Sequence, residues 1–135
     1  MIRVTDWTVT AGGSTFSLAP LTVRQRLTLS DDLSAERARS AAADAALVGM
    51  AKADAAEFVA EARRKALNVA ALFLDCYTTQ GQIRVLTVAI GSVDRALEFV
   101  GKATAREAIR AALEALGMDT DKIEADTTEP ASGND

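Results

Sequence analysis

The chain has 135 residues, of which 49% are apolar, and its formal net charge is −4 at pH 7. This length fits one domain, and 28 alanines against six aromatic residues predict a thin core of closely packed helices. The sequence contains no histidine and a single cysteine, Cys76. Cys-His catalysis, histidine general-base chemistry and the usual zinc sites each lose a necessary component, so we expect a protein that is not an enzyme and needs no metal or cofactor.

The distribution of apolar and charged residues disfavours two further classes. The longest uncharged stretches near the middle, 66–74 and 85–93, have nine residues each, far short of the roughly 20 that span a bilayer. The first six residues lack the apolar run of a secretory signal, so we expect a cytoplasmic protein with no membrane contact. Residues 119–135 carry a net charge of −5, which leaves +1 for the rest of the chain. Nucleic acid is therefore a disfavoured partner, because it would need a concentrated basic face.

The first predicted element is a β-hairpin at about residues 2–19. Apolar residues alternate with Thr and Ser on both sides of Gly12-Gly13, which is typical of a hairpin with a glycine turn. A phosphate cradle at these glycines would need a helix start with Lys and Ser or Thr, which does not follow them. Trp7 and Phe16 are the notable aromatic residues: they either pin the hairpin to the helices or form part of a partner-binding site.

The next predicted element is a helix that begins after Thr22 and stops at Gly49. Thr22 and Gln25 have the spacing of a capping box, in which each side chain accepts a hydrogen bond from the other residue's amide. A break within residues 30–34, capped by Asp31 or Asp32, stays open. If one helix runs through, four arginines offer it a modest basic face, although acidic residues lie among them: Arg24, Arg26, Arg37 and Arg39.

A long helix is predicted from about Asp54 to residues 78–81. Five apolar residues recur at spacings of three and four and form one stripe, which we expect to be buried: Phe58, Ala62, Ala66, Val69 and Phe73. Glu57 and Glu61 have the spacing to share a metal, but three basic residues follow, which favours a solvated face matched to the helix dipole. The apolar surroundings of Cys76 indicate a small core residue.

The remaining body is predicted to be helical, with one ambiguous segment. Residues 83–90 are rich in β-branched side chains, so helix and strand both stay open. Ser92 can cap a helix over 93–100, and Thr104 with Glu107 forms a capping box for a final helix that ends at Gly117. The fold class is therefore mainly α, a bundle-like single domain over 1–118 with a short N-terminal hairpin, and the acidic segment 119–135 is a disordered tail.

Taken together, the double-glycine hairpin, the segment 16–25 leading into a helix, the all-helical body and the short acidic tail resemble the tail assembly chaperones of long-tailed bacteriophages. The resemblance covers most of the chain in outline, and the segment 16–25 (Phe-Ser-Leu-Ala-Pro-Leu-Thr-Val-Arg-Gln) is its most suggestive part. It implies a non-enzymatic protein of the host-cell cytoplasm that binds the tape-measure protein and helps tail-tube protein assemble around it. No catalytic residue is carried over.

Two other functions stay open beside this one. The chain is also compatible with a virion structural adaptor, such as a head-to-tail connector, which would be retained in the particle. A small enzyme of unrecognised type is the third hypothesis. An alanine-rich body permits close approach of helices and an apolar groove for a partner helix, which makes the chaperone role physically reasonable. The sequence leaves the binding surface and the oligomeric state open.

Overall fold

The fold is mainly α with a short N-terminal hairpin, as the sequence predicts. A computed structural model describes residues 6–118, apart from the side chain of Val69. Two strands and six helices lie in this range: β1 Trp7–Ala11, β2 Ser14–Leu18, α1 Val23–Leu47, α2 Lys52–Ala66, α3 Val69–Asp75, α4 Thr79–Ile90, α5 Val93–Lys102 and α6 Ala105–Ala115. The start of the predicted hairpin, at residues 2–5, and the predicted tail at 119–135 lie outside the described residues.

The contacts within the chain divide it into two compact units. The hairpin unit comprises Met1–Leu21 and Cys76–Asp135, and the middle unit comprises Thr22–Asp75. The hairpin unit thus holds β1, β2, α4, α5 and α6, whereas the middle unit holds α1, α2 and α3. The single domain over 1–118 stays a prediction.

The hairpin forms because its turn residues accept a left-handed backbone. Gly12 and Gly13 have φ values of 56° and 81°, the consecutive positive values that a two-residue turn with matching strand twist requires. The strands pair antiparallel, with Val9 opposite Phe16. Alternate side chains of β2 face opposite sides, and Phe16 and Leu18 are buried while Ser17 is exposed. The predicted glycine-turn hairpin is confirmed.

In the hairpin unit, two backbone hydrogen bonds join the segment that follows β2 to the helices. The amide of Ala19 donates to the carbonyl of Ala89 in α4 at 2.8 Å, and the amide of Leu21 donates to the carbonyl of Ala115 in α6 at 3.0 Å. Six of the 11 residues of α6 are buried, most of them alanines, which allow the helices to approach closely. These contacts tie the segment that follows β2 to α4 and α6.

The helix boundaries of this unit follow local capping chemistry. The amides of Arg95 and Glu107 donate to Ser92 Oγ and Thr104 Oγ1, so the caps of α5 and α6 are confirmed. The ambiguous segment 83–90 is helical and belongs to α4. Thr78 accepts a hydrogen bond from the amide of Gly81, so it begins α4, and the prediction that a long helix ends at 78–81 is wrong.

In the middle unit, α1 runs without interruption from Val23 to Leu47. Its capping box is confirmed: the amide of Gln25 donates to Thr22 Oγ1 at 3.1 Å and the amide of Thr22 donates to Gln25 Oε1 at 2.8 Å. Asp31 and Asp32 are exposed within the helix and cap no second segment, so the break at 30–34 does not occur. Gly49 follows the helix with a φ of 69°, which confirms the predicted stop.

The prediction of one long helix from Asp54 is wrong, because the helical conformation is interrupted between α2 and α3. Asn68 Oδ1 accepts a hydrogen bond from the amide of Ala70 at 2.9 Å, a local bond that competes with helix continuation. The predicted stripe is therefore split between two helices and is not buried as a whole. Ala66 is buried, Phe73 is half-buried and Phe58 is exposed over 42% of its surface.

Candidate functional site

The side chains that the sequence analysis considered for catalysis or metal binding, Cys76, Glu57 and Glu61, belong to two different units of the chain. Cys76 is buried in the hairpin unit. Glu61 forms ion pairs with Arg64 and Lys65 on α2, the charge-matched helix surface that the sequence favours. Within residues 6–118, no three histidine, cysteine or acidic side chains come together in a way that could hold a metal ion. None of the helices in that range is both long and apolar enough to cross a membrane.

The four arginines of α1 do not share one face. At 3.6 residues per turn, Arg26 and Arg37 lie about 20° apart around the helix axis, whereas Arg24 and Arg39 lie on its opposite side. Arg37 also contacts the buried carboxylate of Asp75 at 3.5 Å. The modest basic face considered from the sequence is therefore absent over the whole length of α1.

Trp7 and Phe16, the two candidate partner-binding aromatics, have different surroundings. Phe16 is only 1% exposed and packs edge-on against Phe99 of α5, with the ring centroids 5.2 Å apart. The guanidinium carbon of Arg95 lies 4.2 Å from the centre of the Phe16 ring. Trp7 is half-buried and lies opposite Leu18 in the hairpin. Phe16 thus pins the hairpin to the helices and presents no surface to a partner.

A charged cluster on α5 fastens the hairpin turn. Arg95 donates to the carbonyl of Thr15 at 2.9 Å and to Glu98 Oε1 at 2.6 Å. Lys102 Nζ donates to Ser14 Oγ at 2.8 Å and to Glu98 Oε2 at 3.0 Å. Two hydrogen bonds lower the pKa of the Glu98 carboxyl: the one from Lys102 has the larger effect, and the one from Arg95 has the smaller effect. The charged cluster therefore has a structural role, which is to hold the hairpin turn against α5.

The candidate binding site is a groove in the middle unit, between α1, α2 and α3. Its volume is about 560 Å³, within the range of protein binding pockets. Five of its lining residues are alanines, with at least one from each of the three helices, and the others are charged, polar or bulky side chains. The lining residues are Arg37, Ser40, Ala41, Asp44, Phe58, Ala62, Lys65, Ala66, Asn68, Ala70, Ala71 and Leu74.

The edges of this groove present large apolar side chains to solvent. Phe58 on α2 is 42% exposed and Leu74 on α3 is 68% exposed. Of the 15 residues of α2, all of them described, Ala66 alone is buried. The apolar stripe of α2 is therefore only partly covered by α1 and α3, and the groove is the uncovered part.

The opposite flank of the α1–α2 pair is also open. A second depression of about 650 Å³ is lined mainly by alanines of both helices, together with Met50, Val59 and Arg63. Its lining includes no aromatic side chain, so it lacks the large apolar contact that Phe58 provides on the first flank. We therefore place the candidate site in the groove that carries Phe58 and Leu74.

The sequence alone did not reveal this groove. The periodicity of Phe58, Ala62 and Ala66 indicates which face of α2 is apolar, but not whether another element covers that face. The available signal was Asn68, which interrupts the apolar stripe and favours local hydrogen bonding over helix continuation. Recognising that break would have separated Phe58 from the more buried Phe73.

No protein-family model, curated protein or solved structure matches this chain.

Proposed function

We propose that this protein is a non-enzymatic tail assembly chaperone that binds a long helix of the tape-measure protein in the middle-unit groove and assists assembly of the tail tube. The observation that carries the proposal is the exposure of Phe58 and Leu74 beside an alanine-lined floor. Helix-in-groove recognition uses such a surface, because an amphipathic helix inserts its bulky side chains where the groove residues are small. The sequence resemblance supplies the identity of the partner.

The physical gain from binding is apolar. Covering Phe58 and Leu74 would contribute roughly 1–2 kcal/mol each, since both side chains are already partly buried. A partner helix that fits would carry apolar residues at positions i, i+3 or i+4, and i+7, which follow the floor along two helical turns. A tape-measure protein, as a long helical chain, would offer many such segments and would be kept soluble in the host-cell cytoplasm by covering them.

The test is to co-express the chain with a candidate tape-measure protein and to measure the soluble fraction of that partner. We expect the wild-type chain to keep the partner soluble and to retain it in a pull-down at high salt, because apolar contacts are not screened. Phe58→Ser and Leu74→Ser should each weaken retention. The matched control is Leu27→Ser, since Leu27 is 63% exposed on α1 but does not line the groove.

Two outcomes would contradict the proposal. If the partner precipitates with the wild-type chain, while the chain binds DNA in a salt-sensitive way, a nucleic-acid role replaces it. If mass spectrometry finds the protein in purified particles, the structural adaptor or head-to-tail connector is the correct function.

A further inference from the structure

We propose that, when no partner helix is bound, a second copy of this chain occupies the groove in an antiparallel, two-fold symmetric dimer. The proposal depends on the distribution of side chains along the groove, which differs between its two ends. It does not depend on the identity of any other partner.

The end of the groove nearest the α1–α2 connection carries an aromatic side chain and an acid. The connection spans residues 48–51, so α1 and α2 run antiparallel, and Asp44 and Phe58 are the lining residues of each helix closest to it. Asp44 gives this end a negative charge, and Phe58 projects an exposed ring beside it.

The other end carries two bases, each with an acidic neighbour in the same copy: Asp75 for Arg37 and Glu61 for Lys65. Arg37 on α1 and Lys65 on α2 are each seven residues from Asp44 and Phe58 respectively, about 10 Å along the helix axis. The contact between Arg37 and Asp75 places the end of α3 at this same part of the groove. Ala70, Ala71 and Leu74 of α3 therefore line the groove beside the two basic residues, and Leu74 is the large exposed side chain among them.

A two-fold axis through the middle of the groove would exchange these ends between two copies. The axis lies across the groove, so Asp44 and Phe58 of each copy would face Arg37 and Lys65 of the other. Such an isologous contact is closed, since the same pair of interactions occurs twice. A parallel arrangement, with the two-fold axis along the groove, would instead place Asp44 of each copy beside Phe58 of the other and Lys65 beside Arg37, so that like charges would meet.

The charge of the middle unit itself does not oppose this association. The middle unit, Thr22–Asp75, contains eight acidic and eight basic side chains, so its formal charge is zero. Exposed ion pairs add little affinity but fix orientation, so the apolar contacts would supply most of the attraction and the charges would select the antiparallel arrangement. Twelve lining residues are about half of the roughly 20–30 per side of a standard interface, so we expect a weak, reversible dimer.

The experiment measures the mass of the full chain by sedimentation equilibrium from low micromolar to near millimolar concentration. We expect a concentration-dependent dimer. Asp44→Lys and Lys65→Asp should each weaken dimerisation about tenfold or more, because each converts two attractive contacts into two repulsive ones. Asp32→Lys, an exposed charge reversal on α1 outside the groove, should leave the dimer unchanged.

Variants that restore the charge pairs distinguish the loss of a direct contact from misfolding. The double variant Asp44→Lys with Lys65→Asp should dimerise again, and an equimolar mixture of the two single variants should form a heterodimer. Circular dichroism confirms that each variant is folded. A chain that stays monomeric at all concentrations, a dimer that is insensitive to both reversals, or folded variants that no complementary charge restores would each overturn the proposal.

A further consequence rests on the proposed function: a partner helix and the second copy would compete for one groove. Adding the partner should dissociate the dimer, and a partner that binds without dissociating it would overturn the competition. Failure to bind any tape-measure protein would contradict the proposed function and leave the sedimentation result as the separate measure of the dimer.

Discussion

Helices α6 and α2 are similar in composition, yet they are buried to very different extents. Alanine supplies five of the 11 residues of α6 and six of the 15 residues of α2. In the hairpin unit, α6 buries six residues, since α4, α5 and the exit of the hairpin surround it. In the middle unit, α2 buries one. Alanine content therefore indicates that close packing is possible, whereas the number of neighbouring elements decides whether it is complete.

The largest expected difference between the units is the cost of removing one aromatic ring. Phe16→Ala should destabilise the protein by about 3–5 kcal/mol, because it leaves a cavity beside Phe99. Phe58→Ala should cost less than about 1.5 kcal/mol, because much of that ring already contacts water. Urea unfolding measures both values, with fluorescence of Trp7 reporting on the hairpin unit and circular dichroism on all helices. Equal losses would show that Phe58 is as well packed as Phe16.

A smaller difference lies in the helix caps. Thr104 caps α6 with its side chain, whereas Ala51 precedes α2 with an extended backbone and no side-chain hydrogen bond. Thr104→Ala should cost about 1 kcal/mol, and Ala51→Ser should stabilise the protein by about 0.5–1 kcal/mol. Thermal unfolding of the two variants checks the opposite signs. A destabilised Ala51→Ser variant would mean that the entrance of α2 has no room for a cap.

The smallest expected effect concerns pH and the hairpin cluster. Hydrogen bonds from Lys102 and Arg95 lower the pKa of Glu98 in the folded protein. Their contribution to stability is therefore present at neutral pH and is lost as the pH falls through that lowered pKa. The melting temperature of the wild-type chain should exceed that of Glu98→Gln at pH 7, and the gap should narrow toward about pH 3. A gap that is constant over this range would show that the charge of Glu98 contributes nothing.

The sequence predicted those features that depend on neighbouring residues. The glycine turn, the caps at Thr22, Ser92 and Thr104, and the stop at Gly49 each need only local backbone geometry and nearby side chains. Features that depend on the surroundings of a helix were harder to predict from the sequence. The periodicity that includes Phe58 identified an apolar face correctly as helical, but it carried no information about the number of helices that cover that face.

The same limit applies to the candidate site. Asp44 and Lys65 are ordinary surface charges in the sequence, and they become the two ends of one groove only when α1 and α2 lie antiparallel. Phe16 had two possible roles in the sequence, and its contact with Phe99 decides for the core. That contact joins residues 83 positions apart, beyond the reach of local pattern analysis.

The separation between Phe16 and Phe99 also sets the order in which the chain can fold during synthesis. At roughly 5–20 residues per second, a ribosome adds the 83 residues from 17 to 99 in roughly 4–17 s. The hairpin cannot pack against α5 during that interval, because Phe99 has not yet been synthesised. Every residue of the middle unit is synthesised before Phe99. The residues of the groove are therefore all synthesised before the hairpin unit can close its core.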